Sequence, residues 1–258
     1  LLDSRFCSTL SNFAFWRNKI NNLRFKCRFL QLWISLTALC PVTVWSQDSV
    51  LEIEVVGRKV NLVGNAISAS EGRISFREIE QRPLLRAGDV LETVPGLVAT
   101  QHSGSGKANQ FYLRGFNLDH GTDFATNLDG MPINMRSHAH GQGYTDLNFI
   151  IPEMIKEIVY RKGSYYSDVG DFSGAGSASI YTHSETIPNR IQLGAGGFGF
   201  ARALVTGNTD GLGGNLIFGF EHQAYEGPWD SVDEDVGKTN IQLKQSWERE
   251  SGKFILSL

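Results

Sequence analysis

The sequence predicts a strand-rich chain in two parts: a compact α+β domain over about 50–185, followed by antiparallel strands that run to Leu258. Three observations predict it. First, residues 110–134 alternate side-chain character with the two-residue period of a strand and are punctuated by turn chemistry. Second, two short helix signals precede that stretch, each stopped by a proline. Third, the chain beyond Arg190 falls into alternating segments of about ten residues separated by turns. That last pattern is the signature of the first strands of a transmembrane β-barrel, and a soluble sandwich writes the same one.

Taking the elements in order, residues 51–56 read as a short alternating strand. Ser75 and Glu78 have capping-box spacing, so a short helix is expected from Phe76 to about Gln81, before Arg82-Pro83. Residues 87–94 read as a second short helix burying Val90, Leu91 and Val94 and ended by Pro95-Gly96. A strand over 97–101 and a flexible loop over 102–107 follow. Then comes the central hairpin: one strand from Gln110, turn chemistry at Asp119-His120-Gly121, and a return strand over 124–128. Asp129-Gly130 makes a second tight reversal. Residues 134–148 form a long polar loop, Pro152 opens one helical turn, and strands are expected over 156–161 and 177–182.

Charge and cysteine usage divide the chain at residue 46. The first 46 residues carry six basic side chains and one acidic, leaving 18 basic against 26 acidic in the remainder. An acidic body argues against nucleic acid as partner. Cys7, Cys27 and Cys40 all lie in the first segment, so the rest has no disulfide framework, thiolate metal site or cysteine nucleophile. Arg24, Lys26 and Arg28 precede an apolar run over 29–44, the layout of a signal peptide, and Val44-Trp45-Ser46 offers a cleavage site. Export, with a mature chain from about Gln47, is the expectation.

Four of the six histidines, His102, His120, His138 and His140, fall in polar loops of the α+β domain. Imidazoles with nearby Tyr144 and Asp146 suit a zinc, copper or nickel ion, or a metal complex, with His138 and His140 the foremost ligand candidates. Arg136, Gln142 and Tyr144 could contact a siderophore or sugar instead. Solvation, or hydrogen bonds that merely hold the loop, would need the same residues. A metallohydrolase built from His138, His140, Asp129 and Asp146 is a third reading. No HExxH helix, serine elbow or phosphate loop accompanies it, so an enzyme is not expected. An exported soluble β-rich binding module or adhesin stays open as well.

The chain resembles the plug domain of TonB-dependent outer-membrane receptors. The resemblance is carried by Asp89-Val90-Leu91 with Val94-Pro95-Gly96-Leu97, Tyr112-Leu113-Arg114-Gly115-Phe116, and Leu128-Asp129-Gly130-Met131-Pro132. Ile155-Lys156-Glu157-Ile158 then leads to Arg161-Lys162-Gly163-Ser164, and the Gly-rich strand 174–180 closes the match. Lys162 and Ser164 stand where such plugs usually have Arg and Pro.

The resemblance implies a leader over 1–46, a TonB box and plug over 47–185, and the first five or so strands of an incomplete transmembrane β-barrel over 186–258. It implies a location in the outer membrane, contact with its lipid, and uptake of a small scarce ligand such as a metal complex or siderophore. No resident cofactor is implied; a transition metal would be cargo. TonB, with its inner-membrane motor, would pair edge-to-edge with Glu52, Ile53, Glu54, Val55 and Val56, a β-augmentation. Those residues serve equally as a first plug strand. Apical plug loops carrying His102, Arg136, His138, His140, Gln142 and Tyr144 would meet ligand, and Arg114 would fix the plug in its barrel. Because five strands cannot close a barrel and the last is cut at Leu258, the chain is expected to be a fragment of a receptor that alone transports nothing. Residues 1–18, which lack a starting Met, are expected to be upstream reading frame. Phe198-Gly199 is expected as a tight outer turn, 208–214 as an inner turn and 221–238 as a long acidic outer loop.

Overall fold

The structure, a computed structural model, describes residues 65–258 apart from 67, 85 and 103. The leader segment and the proposed pairing strand at Glu52–Val56 lie outside the described residues.

Turn chemistry sets the architecture. Strand β1 (Asn65–Ala66) pairs with β2 (Glu71–Ser75), which runs directly into helix α1 (Phe76–Glu80). The helix lies where expected, but the capping box does not form. The Ser75 hydroxyl is buried without a hydrogen-bond partner, and Glu78 turns instead to Arg82 at 3.3 Å. The second helix is a 3-10 segment, Ala87–Thr93, and it buries Val90, Leu91 and Val94 completely. Asp89 caps it by accepting the Arg86 N–H at 3.3 Å.

Strands β3 (Leu97–Thr100), β4 (Gln110–Leu113) and β5 (Phe116–Asn117) make a small antiparallel sheet. Here the sequence expectation fails. The return strand of the hairpin is β5, reached through Arg114-Gly115, whose φ values of 53° and 83° define a primed two-residue turn. Residues 124–128 leave this sheet altogether. As β6 (Phe124–Leu128) they pair in parallel with β9 (Gly176–Thr182) and, through the Asp129-Gly130 turn, with β7 (Met131–Pro132). A 3-10 turn at Pro152–Met154 precedes β8 (Ile155–Lys162), which lies between β2 and β9. The larger sheet thus runs β1-β2-β8-β9-β6-β7.

One core joins the two sheets. Ile74, Ile158 and Ile180 from the larger sheet meet Phe111 and Leu113 from the smaller, with Val90, Leu91, Leu118 and Ile150 between them. Full burial of each large side chain contributes about 1.5–3 kcal/mol.

Strands β10 (Arg190–Ala195), β11 (Ala201–Gly211), β12 (Gly214–Tyr225), β13 (Val236–Arg249) and β14 (Gly252–Ser257) form a separate antiparallel sheet in chain order. Phe198-Gly199 turns as expected, with φ of 58° and 69°. The next two connections are shorter than read from sequence. Leu212-Gly213 alone (φ 52° and 73°) joins β11 to β12, and only residues 226–235 join β12 to β13, because the ladder zips further than the apolar alternation reaches.

This sheet is polar on one face and apolar on the other. Register puts Arg202, Glu221, Asn240 and Gln242 on the face turned to the α+β domain, and Ile191, Val205, Phe220, Ile241 and Phe254 on the reverse. Ile191, Leu193, Ile241 and Leu256 are 58–80 % exposed there. Soluble sheets bury such a face. Among the described residues no helix is long and apolar enough to cross a membrane, which leaves strand-based crossing untouched.

Candidate functional site

Charged and polar side chains gather in two places: the contact between the α+β domain and the five-stranded sheet, and a histidine cluster on the loops.

The contact is built on charge. Arg202 on β11 sends its fork to both carboxylate oxygens of Glu153 at 2.7 and 2.9 Å, and its Nε to Glu221 at 2.7 Å. Lys238 reaches the second Glu221 oxygen at 3.3 Å, and Asn240 donates to it at 3.0 Å. Burial works against the charge on Glu153, but its bonds to Arg202 outweigh that and hold its carboxyl below the usual range. Lys244 donates to Asp129 at 2.7 Å, and to Thr182, whose own hydroxyl donates to Asp129 at 2.6 Å. A small apolar seam lies beside these pairs: Ile151 and Met154 from the domain, Ile187 from the linker, Leu204 and Ile217 from the sheet. Arg114, expected to fix this contact, instead donates to the Ala69 carbonyl at 3.3 Å within the domain. Its side chain leaves the sheet side because it occupies the first corner of the β4–β5 turn.

The loop over 134–148 is held by one residue that the sequence reading missed. Asn134 is buried and makes four hydrogen bonds. Its amide nitrogen donates to the carbonyls of Gly121, Phe124 and Gly143, and its oxygen accepts the Thr126 N–H at 2.7 Å. An Asn followed by a polar stretch carries no signal of this beyond its position just after β7. Asn134→Ala should cost about 3 kcal/mol, since buried groups left without partners cost about 1–3 kcal/mol each. Faster proteolytic cleavage within 135–143 at native temperature would report it; unchanged cleavage and unfolding midpoints would refute it.

That loop meets Asp119-His120. His120 is 1 % exposed, and its Nδ1 faces the carbonyls of Ala108 and Asn109 at 2.9 and 3.0 Å. Two acceptors require a proton on Nδ1, so in the neutral ring the Nε2 carries the lone pair. Burial lowers the His120 pKa and favours that neutral ring. Its Nε2 lies 3.3 Å from His102 Nε2 and 3.8 Å from Asp119 Oδ1, and the same Asp119 oxygen lies 3.5 Å from His140 Nε2.

Of the residues singled out from sequence, His102 and His140 join this cluster, whereas His138 stacks on Tyr144 at 3.9 Å and accepts the His140 N–H at 3.1 Å. Tyr144 is buried, its hydroxyl accepting the Ala108 N–H, so its ring is a floor under the histidines. Arg136 and Gln142 are exposed on the loop. Asp119, overlooked as a turn residue, supplies the carboxylate. Asp129 is engaged by Lys244 and Asp146 by the Asn148 N–H, and among the described residues the group that could hold a metal is Asp119, His120 and His140. The hydrolase quartet is therefore not assembled.

His102 also lines a cleft of about 770 Å³ between the domain and the sheet, with Gln101, Phe200, Tyr225 and Trp229. Ser105 closes one side, its N–H and hydroxyl both donating to Glu234 of the β12–β13 loop at 2.9 and 2.7 Å.

Residues 65–177 match the family described as TonB-dependent Receptor Plug Domain. They are a TonB-dependent receptor plug. Three solved structures share the fold of plug and following strands. The copper transporter OprC is 20% identical with a TM-score of 0.56 over 76% of this chain and 30% of that one. The siderophore receptor PirA from Acinetobacter baumannii is 18% identical with a TM-score of 0.54 over 74% and 31%. A double mutant of the Serratia marcescens hemophore receptor HasR, solved with its hemophore HasA and heme, is 20% identical with a TM-score of 0.51 over 73% and 30%. The chain spans less than a third of the length of these structures. The α+β domain is thus the plug, and the five-stranded sheet is a piece of β-barrel wall with its polar face toward the plug.

Proposed function

We propose that this chain is the plug and first wall strands of an outer-membrane receptor that takes up a scarce small ligand by TonB-driven displacement of the plug. In this reading residues 1–46 are an export leader, 47–185 the TonB box and plug, and 186–258 the opening barrel strands. The observation that supports it most is the wall sheet, which presents charge to the plug and Ile, Leu and Phe to the outside. Lipid rewards that arrangement and water does not. The ligand enters through the cleft at His102, Tyr225 and Trp229, is held rather than transformed, and is a metal ion, a metal complex or a siderophore. His102, Arg136, His138, His140, Gln142 and Tyr144 belong to the loops that meet it. TonB binds Glu52, Ile53, Glu54, Val55 and Val56 as an added strand. Arg202, Lys244 and their plug partners keep the plug seated until it is pulled.

Two measurements test the reading in a Gram-negative host on the chain continued through a complete barrel, since five strands leave an open edge that lipid cannot satisfy. The chain should sediment with outer membrane after carbonate washing. A photo-crosslinking residue at Val55 should capture TonB, and one at Val98 on the exposed plug surface should not. Recovery in soluble periplasm, or equal capture at both positions, would refute it.

A further inference from the structure

We infer that Asp119, His120 and His140, with His102 beside them as a fourth ligand, form a coordination site for a bare divalent first-row transition ion, zinc or copper. The inference deepens the receptor reading by naming the cargo at its mouth, and it rests on that reading only for the word cargo.

Around a tetrahedral ion with metal–nitrogen bonds of about 2.0–2.1 Å, ligand atoms stand about 3.3–3.4 Å apart. The Asp119–His140 and Asp119–His120 separations are 3.5 and 3.8 Å, and the ligand atoms of Asp119, His120 and His140 all lie within 4.8 Å of one another, so one face of such a tetrahedron is nearly in place. His102 Nε2, 3.3 Å from His120 Nε2 but outside that group, stands next to it as the fourth ligand.

Orientation strengthens it. Metal-ligating histidines commonly donate their other ring N–H to a carbonyl, which fixes ring and tautomer. His120 does this twice, to Ala108 and Asn109, and so aims the Nε2 lone pair into the cluster from a buried position. A buried Asn or Gln would hold the loop equally well without pointing a basic nitrogen at another imidazole and a carboxylate. Tyr144 closes the site from below, with its ring 5.4 Å from that of His120 and 5.8 Å from that of His140. Three nitrogens and one oxygen suit zinc or copper over magnesium or calcium, which prefer oxygen alone. One ligand, His102, faces the cleft, so an ion arriving there would meet a nitrogen already at the edge of the site. His138 is excluded, because its Nδ1 is taken by the His140 N–H and its ring is stacked on Tyr144.

The test is a titration of the full chain in detergent, stripped of metal and with Cys7, Cys27 and Cys40 alkylated. Zinc and copper(II) chlorides are followed by calorimetry, and cobalt(II) by visible absorption. The expected result is one ion per chain with a nitrogen-rich tetrahedral cobalt spectrum. His140→Ala and Asp119→Asn, both at solvent-reached positions, should each weaken binding at least about tenfold. His102→Ala should do the same, and His138→Ala should leave affinity unchanged. Equal unfolding midpoints in the four variants separate lost ligation from lost fold. Absence of saturable binding, or equal affinity in wild type, His140→Ala and Asp119→Asn, overturns the site. The titration requires neither TonB nor a membrane. Failure here, in a chain that still enters the outer membrane and crosslinks through Val55, removes the metal site and leaves the receptor. Binding by a chain that stays soluble supports the site and removes the receptor.

Discussion

Arg202→Ala should cost the plug–wall assembly about 3 kcal/mol, the lower end of what breaking a buried ion pair costs. The substitution strands two carboxylates at once. Glu153 loses both bonds of a bidentate clamp, and Glu221, 1 % exposed, keeps only Lys238 and Asn240. Lys238 is why the expected loss is not larger. Denaturant unfolding in detergent micelles should show it as a fall in midpoint. Restoring neutrality with Glu153→Gln on top of Arg202→Ala should recover part of the loss, because an amide costs less to bury unpaired than a charge. If the single variant unfolds with wild type, the clamp is a surface pair of no consequence.

Gly219→Leu should unseat the plug by about 2 kcal/mol, the usual scale of overpacking. A Cβ at this wall position would lie 2.8 Å from the Met154 sulfur and 3.2 Å from Ile151 Cδ1. The tips of both side chains can give slightly, so Gly219→Ala should be mild, and the branched side chain beyond it should not fit. Pairing Gly219→Leu with Met154→Ala should restore stability by vacating the space. Non-additivity between the two is the readout; strictly additive effects would show that Met154 and Gly219 do not share the seam.

Much of this architecture was legible in the residues. Pro95-Gly96, Asp129-Gly130 and Phe198-Gly199 stop elements where the structure stops them, and the apolar stripe Val90, Leu91 and Val94 is buried as written. What misled was turn chemistry without its usual residue. Arg114-Gly115 makes the same primed turn as Asp129-Gly130, yet an arginine at positive φ looks like a strand residue in an alternating run. That error sent β6 to the wrong partner. Its true neighbour, β9, lies about fifty residues on and pairs in parallel, a long-range choice that no local pattern encodes.

The site was half legible for a related reason. His138 and His140 are conspicuous because they are close in sequence, but a two-residue spacing in a loop need not point two rings at one place. The loop sends one to Tyr144 and the other to Asp119. His120, which the structure makes the pivot, lay hidden inside a turn, and its role depends on two carbonyls that sequence alone does not place beside it. Asn134 was invisible for the same cause: its value lies in four backbone partners gathered from three segments.

The wall strands carry their grease on the outside and their ions on the inside, an inversion of the pattern that keeps ordinary proteins dispersed. Handling should therefore obey inverted rules. Detergent or bilayer is this sheet's good solvent, and salt or dilution without amphiphile should drive its Ile, Leu and Phe face onto its own copies long before the plug unfolds. A purification that looks like misfolding would then be a folded cork dragged out of solution by the staves it is attached to.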